Sequence, residues 1–234
     1  MLDYLMKKAP RTYDGIICHN NISFVEGFSP YQLWIDGLYM VPPFLAAMGC
    51  IDEATEQVRG YYRHLYDEKA ELFYHIVDTV DGRFIRKLFW ATGNGWALMG
   101  LARIIEEAER QKREDIEIEM SGHFKELLNS LLKYQLPDGR FRDILDDKES
   151  FTDGTSAMMV ASCIYRGNVK GYLDSLSDMA DKAYETVTAK IDGYGLIREV
   201  CGCPDFIKEG TSAEAQASYI MADAWRERLG RNKG

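Results

Sequence analysis

A chain of 234 residues, 46% of them hydrophobic, can bury one sizeable core. A formal charge of −9, with no clustered Lys/Arg face, argues against a nucleic-acid partner. No apolar run reaches the ~18 residues of a membrane span, and Met1 to Lys8 lacks the basic, apolar and small-residue order of a signal peptide.

In chain order, residues 2–8 read as the tail of an outer helix, followed by an Asp14-Gly15 turn. Then comes the first of four related segments, Trp34-Ile35-Asp36-Gly37-Leu38-Tyr39-Met40, which reads as a helix running on through Pro42, Pro43 and Phe44 to Ala47. The second is Trp90-Ala91-Thr92-Gly93-Asn94-Gly95-Trp96, the third Phe151-Thr152-Asp153-Gly154, and the fourth, one residue longer, Phe206-Ile207-Lys208-Glu209-Gly210. Their glycines lie 56, 61 and 56 residues apart. Each opens an apolar run suited to an inner helix.

Between these segments run one-sided stripes: Ala54, Val58, Tyr61, Tyr62 and Leu65; then Phe124, Leu127, Leu128, Leu131 and Leu132; then Leu176, Met179, Ala180, Ala183 and Val187. They predict amphipathic outer helices. Asp81-Gly82, Pro137-Asp138-Gly139 and Gly193-Tyr194-Gly195 predict the turn after each, with strand confined to these excursions. The charged stretch from Glu106 to Glu119 reads as a solvated helix end and loop. Five scattered cysteines fit a reducing, cytoplasmic setting, and Cys201-Gly-Cys203 lacks the spacing of a metal site.

Helical hairpins at this period can close into an all-α toroid. Four hairpins are present where a closed ring of six needs twelve helices. The expectation is therefore a single (α/α) domain over 1–234 whose N-terminal hairpins are missing. Its open edge would leave apolar helix flank for self-association. The residues preceding the four glycines, Asp36, Thr92, Asp153 and Glu209, would share one rim with Trp34, Tyr39, Trp90 and Trp96. Helix capping is the stronger reading for each of these residues taken singly, but a rim of carboxyl and aromatic groups also suits a glycan site.

The ordered matches identify a family. Pro10-Arg11-Thr12, Trp34 to Met40 with Pro43-Phe44-Leu45-Ala46, Tyr74-His75-Ile76-Val77-Asp78, Trp90 to Trp96, Gln135 with Asp138-Gly139, and Gly210 to Glu214 resemble glycoside hydrolase families 88 and 105. These are the unsaturated glucuronyl and rhamnogalacturonyl hydrolases, with a six-hairpin (α/α)6 fold. The resemblance implies a substrate oligosaccharide ending in a 4,5-unsaturated uronic acid, hydrated without metal or organic cofactor. It implies that Asp36 is the catalytic acid and base. Trp34, Tyr39, His75, Trp90, Thr92, Asn94 and Trp96 would bind the sugar. Thr92 stands where many relatives have Arg, and the family's second aspartate would lie upstream of Pro10. An epimerase or lyase on an α/α barrel, or a non-catalytic glycan-binding fragment, are the alternatives. The few histidines (His19 and His75 alone lie in mouth-type loops) weigh against the epimerase.

Overall fold

The computed structural model describes residues 1–19, 29–203 and 206–232. Its elements in chain order are α1 (Leu2–Lys7), β1 (Gln32–Trp34), α2 (Gly37–Met40), α3 (Pro42–Ala47), α4 (Ile51–Leu65), β2 (Tyr66–Asp67) and β3 (Leu72–Phe73). Then follow β4 (Ile76–Asp78), β5 (Phe84–Arg86), α5 (Ala91–Arg110), α6 (Glu114–Leu132), β6 (Phe141–Arg142) and β7 (Thr152–Asp153). The chain ends with α7 (Gly154–Lys170), α8 (Ser177–Thr188), β8 (Val200–Cys201), β9 (Glu209–Gly210) and α9 (Ala213–Asn232). No helix among the described residues is long and apolar enough to cross a membrane.

Two compact units emerge. The first holds 1–89 and 100–127, the second 90–99 and 128–234. In the first, α4 turns Ala54, Val58, Tyr61 and Leu65 inward, as its stripe predicts, while Asp52 and Glu53 complement the dipole at its start. A three-stranded antiparallel sheet, β1-β4-β5, aligns Trp34 with Ile76 and Ile76 with Arg86. In the second unit, α7 is buried at nearly every position from Gly154 to Tyr165, the all-round apolar helix expected of an inner position. It packs against both α8 and α9.

Three features depart from expectation. The first inner helix does not run through its prolines: Val41 N–H closes the last bond of α2 on Gly37, and Pro42 and Pro43, lacking N–H groups, start α3 instead. The fourth, α9, is not apolar on most faces. Among its described residues only Ala215, Ser218 and Ala222 are fully buried, a narrow stripe of small residues on a helix that packs against α7.

The third departure concerns the turn after the outer helix. Three copies share one geometry: Thr12 N–H to Ile16 O, Leu136 N–H to Arg140 O and Asp192 N–H to Leu196 O. Gly15, Gly139 and Gly195 sit within them at φ +91°, +91° and +80°. After α4 the turn comes at once, between β2 and β3, with Glu71 at φ +54° and its N–H bonded to Asp67 O. Asp81-Gly82 belongs instead to the later β4–β5 hairpin, so the missing glycine hid the true turn.

Candidate active site

In the first unit, β1 ends at Trp34 and the chain turns immediately into α2, which puts Asp36 at the helix start. The N–H of Ile35 bonds the carbonyl of His75 over 3.0 Å, so the loop between β3 and β4 is pinned beside it. The Trp34 indole lies flat on the His19 ring, with centroids 4.5 Å apart and planes 9° apart, and meets His75 edge-on at 5.9 Å. Its Nε1–H donates to Gln32 over 3.0 Å. Tyr39 lies under the Arg103 guanidinium, 5.1 Å from its ring centre. The sequence places His19 in a mouth loop but gives it no partner; stacking between residues 15 apart leaves no mark in spacing.

Asp36 occupies the cap position without capping. Its backbone is helical (φ −60°, ψ −26°) and its side chain accepts nothing from the turn that follows. Oδ1 is fully enclosed with no hydrogen-bond partner among the described residues. Burial raises its pKa against the opposing pull of His19 and of its own backbone N–H. The Tyr61 ring packs over Gly37, where any Cβ would strike its hydroxyl. Burial raises the Tyr61 phenol, and the Asp36 charge adds to the rise. His75 is 3% exposed. Burial, then the positive charges of Arg86 and His19, push its pKa down to about 3, so its ring is neutral near pH 7.

The second unit shows the opposite use of the same pattern. Asp153 is extended (φ −115°, ψ 119°), paired with Phe141 across β6–β7, and wholly buried. Its carboxylate accepts from Thr155 N–H at 2.8 Å, Ser156 N–H at 3.0 Å, Cys201 N–H at 2.8 Å and the Thr92 hydroxyl at 2.7 Å. This acid is a helix cap. Trp90 Nε1–H donates to Asp143 over 3.0 Å, and the Ala91 N–H bonds the Asp143 carbonyl. Asn94 is wholly buried and its amide donates to Trp90 O. Trp96 is 9% exposed. Glu209 is exposed in β9, three residues or more ahead of α9. The structure thus joins Thr92 to Asp153 in the second unit, and Trp34 to His75 and His19 in the first.

Among the described residues no group of three His, Cys, Asp or Glu side chains is placed to hold a metal ion. What the first group offers is acid–base chemistry: an enclosed carboxyl that holds its proton more tightly than usual, a neutral imidazole, and an indole wall.

The chain is 27% identical over 171 residues to the unsaturated rhamnogalacturonyl hydrolase YesR of Bacillus subtilis (strain 168), covering 70% of this chain and 49% of that protein. It is 28% identical over 141 residues to an unsaturated 3S-rhamnoglycuronyl hydrolase of Formosa agariphila, covering 52% of this chain and 36% of that protein. It therefore spans about half the length of the first relative and less of the second. A crystal structure of a possible member of family 105 from Salmonella enterica serovar Paratyphi A superposes with a TM-score of 0.85 at 22% identity, over 99% of this chain and 64% of that one. This likeness gives the chain the all-α, six-hairpin glycosidase-like fold that its repeats predict. The family model for Glycosyl Hydrolase Family 88 matches residues 1–224, across both units, and the chain belongs to that family.

Proposed function

We propose that the chain carries the acid–base aspartate of a hydrolase acting on oligosaccharides that end in a 4,5-unsaturated uronic acid. The observation that carries this reading is Asp36, an enclosed carboxyl that leaves its helix uncapped and holds its proton more tightly than usual. Protonated Asp36 gives its proton to C4 while the C4=C5 electron pair forms the new C–H bond. Water adds to the cationic C5, and its proton returns to the Asp36 carboxylate. The C5 hemiketal opens as its ring C–O bond breaks. The hemiacetal left at C1 then expels the aglycone. One water is consumed and no cofactor is required. This single-acid scheme differs from the paired carboxyls of ordinary glycosidases.

Trp34, backed by His19, forms a wall for a sugar face, and neutral His75 offers a hydrogen bond rather than a charge. The sugar-binding roles of Tyr39, Trp90 and Trp96 belong to the same proposal. Thr92 and Asn94 enter it through the start of α5, since their polar groups bond within the protein. Self-association through apolar helix flank, and a cytoplasmic setting suited to five free thiols, complete the reading.

The test is incubation with unsaturated disaccharides released by a polysaccharide lyase, following loss of the ultraviolet absorbance of the C4=C5 bond. Loss of absorbance with release of the aglycone, absent in Asp36→Asn, supports the proposal. Binding without turnover makes the chain a glycan-binding module, and an isomer of unchanged mass makes it an epimerase.

A further inference from the structure

Tyr61 stands on the inward stripe of α4 and is 2% exposed, yet it ends in a hydroxyl. Burying a phenol oxygen is unfavourable unless it finds a partner. Three other tyrosines show the ordinary solution: Tyr66, Tyr165 and Tyr184 donate to the acids Glu126, Asp181 and Asp223 respectively. Tyr61 instead turns its oxygen to Gly37. A Cβ there would collide with that oxygen and stand 3.3 Å from Cζ, so glycine is what admits the phenol to the backbone beside Asp36.

Two polar groups thus meet at one turn of the first unit without bonding each other. Asp36 Oδ1 is enclosed with no partner among the described residues, and the Asp36 charge acts on the phenol through space. His19 acts on the Asp36 carboxyl by charge alone. The His75 ring is neutral near pH 7, pushed down by burial and then by Arg86 and His19. Cys18, near Tyr61, keeps its proton: burial and then the charges of Asp14 and Asp78, against Arg11, push its thiol up to about 12. The Tyr61 phenol is held well above the ordinary phenol range, by burial first and then by the Asp36 charge. It therefore stays protonated and can donate at any working pH.

We propose that Tyr61 is a positioning residue for Asp36: its hydroxyl donates a hydrogen bond to the carboxylate that forms once the Asp36 proton has passed to C4. The proposal rests on the hydrolase reading for the moment at which that carboxylate appears. Protons balance, because Tyr61 keeps its own and the attacking water returns one to Asp36. A carboxylate made inside the protein is unfavourable without donors, and a phenol O–H to an ionised oxygen is among the stronger hydrogen bonds. The bond favours the ionised form alone. Asp36 is thus left protonated at rest and meets a donor only after it has reacted.

The experiment titrates protein labelled with carbon-13 at the Asp carboxyl and Tyr Cζ positions, with no substrate present. In the wild type the Tyr61 Cζ resonance should step at the pH where Asp36 ionises, and the step should vanish in Asp36→Asn. Tyr61→Phe keeps the ring over Gly37 and removes only the hydroxyl. It should raise the Asp36 pKa by about one unit or more, as loss of a hydrogen bond to an ionised oxygen implies. Tyr62→Phe is the control, since its enclosed hydroxyl has no partner among the described residues and its ring stacks on His123; it should leave Asp36 unmoved. With unsaturated disaccharides, Tyr61→Phe should lower kcat about tenfold at constant KM and move the alkaline limb of the pH profile up by the same shift. No Tyr61 step in the wild type, an Asp36 titration unchanged in Tyr61→Phe, or an unchanged kcat in that variant overturns the proposal. The step and the shift in a wild type that turns over no substrate uphold the pairing and refute the hydrolase reading instead.

Discussion

The Thr92 hydroxyl donates to the Asp153 carboxylate over 2.7 Å, which bonds the residues preceding two successive repeat glycines to each other. Asp36, at the same place in the first repeat, has an oxygen with no such partner among the described residues. The contrast separates a carboxylate tied into the scaffold from a carboxyl with an enclosed oxygen that the scaffold leaves unused.

Asp153→Ala should destabilise the protein by about 3 kcal/mol or more, because it strands three buried N–H donors and a hydroxyl. Thr92→Val, losing one of the four, should cost about 1 kcal/mol. The two effects should fall short of additivity, since both remove the same bond. Urea midpoints decide it. A stable Asp153→Ala protein would show that this carboxylate is not structural.

Asp36→Asn should lower turnover of unsaturated disaccharides by ~10²–10⁴-fold, the usual worth of general acid–base catalysis. It should leave the fold at least as stable. The folded carboxyl holds its proton more tightly than the unfolded one. Ionising it therefore lowers stability as pH rises above about 4, the unfolded value. The melting-temperature advantage of the Asn variant should accordingly widen from pH 4 to pH 7. A variant less stable than wild type at every pH would mean that Asp36 supports its helix after all.

His75 sets a second pH dependence of known sign. Its folded pKa of about 3 lies below the unfolded value near 6.5. The stability of a neutral buried ring is complete above pH 6.5 and is lost as pH falls toward 3. His75→Gln should flatten the decline of melting temperature between pH 6.5 and 4. If the slopes of the two proteins coincide, the ring is not buried as described.

Gly15 and Gly139 make a controlled pair. Both stand at φ +91°, but a Cβ on Gly15 meets nothing within 4 Å, whereas one on Gly139 lies 2.6 Å from Ala183 N and 2.8 Å from its Cα. Gly15→Ala should cost about 1 kcal/mol for the left-handed conformation alone. Gly139→Ala should cost at least twice that, because α8 must move away from the turn. Equal shifts in the unfolding midpoint would refute the close approach.

Much of this architecture is legible in the residues. The glycine repeat marks the starts of α2 and α7 to the residue, and falls within three residues of the starts of α5 and α9. The stripes Ala54 to Leu65 and Phe124 to Leu131 point inward as their period requires. Pattern alone does not divide Asp36 from Asp153, because each follows an aromatic by two positions and precedes a glycine. The backbone divides them. Pairing with β6 holds Asp153 extended, which swings its carboxylate over the first turn of α7. Asp36 is already helical, so its carboxylate cannot reach back. That difference comes from a strand contact distant in sequence. The stacking of His19 on Trp34 is equally invisible before folding.

The connections between helices fall into two kinds. Those leading out of α3, α5 and α7 are brief, at 48–50, 111–113 and 171–176, while those leading into α5, α7 and α9 span 66–90, 133–153 and 189–212. The brief ones leave no room for insertion without dragging two helices along. The long ones already differ in content, the one into α5 carrying the additional β4–β5 hairpin. The helices and brief turns are therefore mechanically coupled, whereas a long connection can change length or content while the helices it joins stay in place.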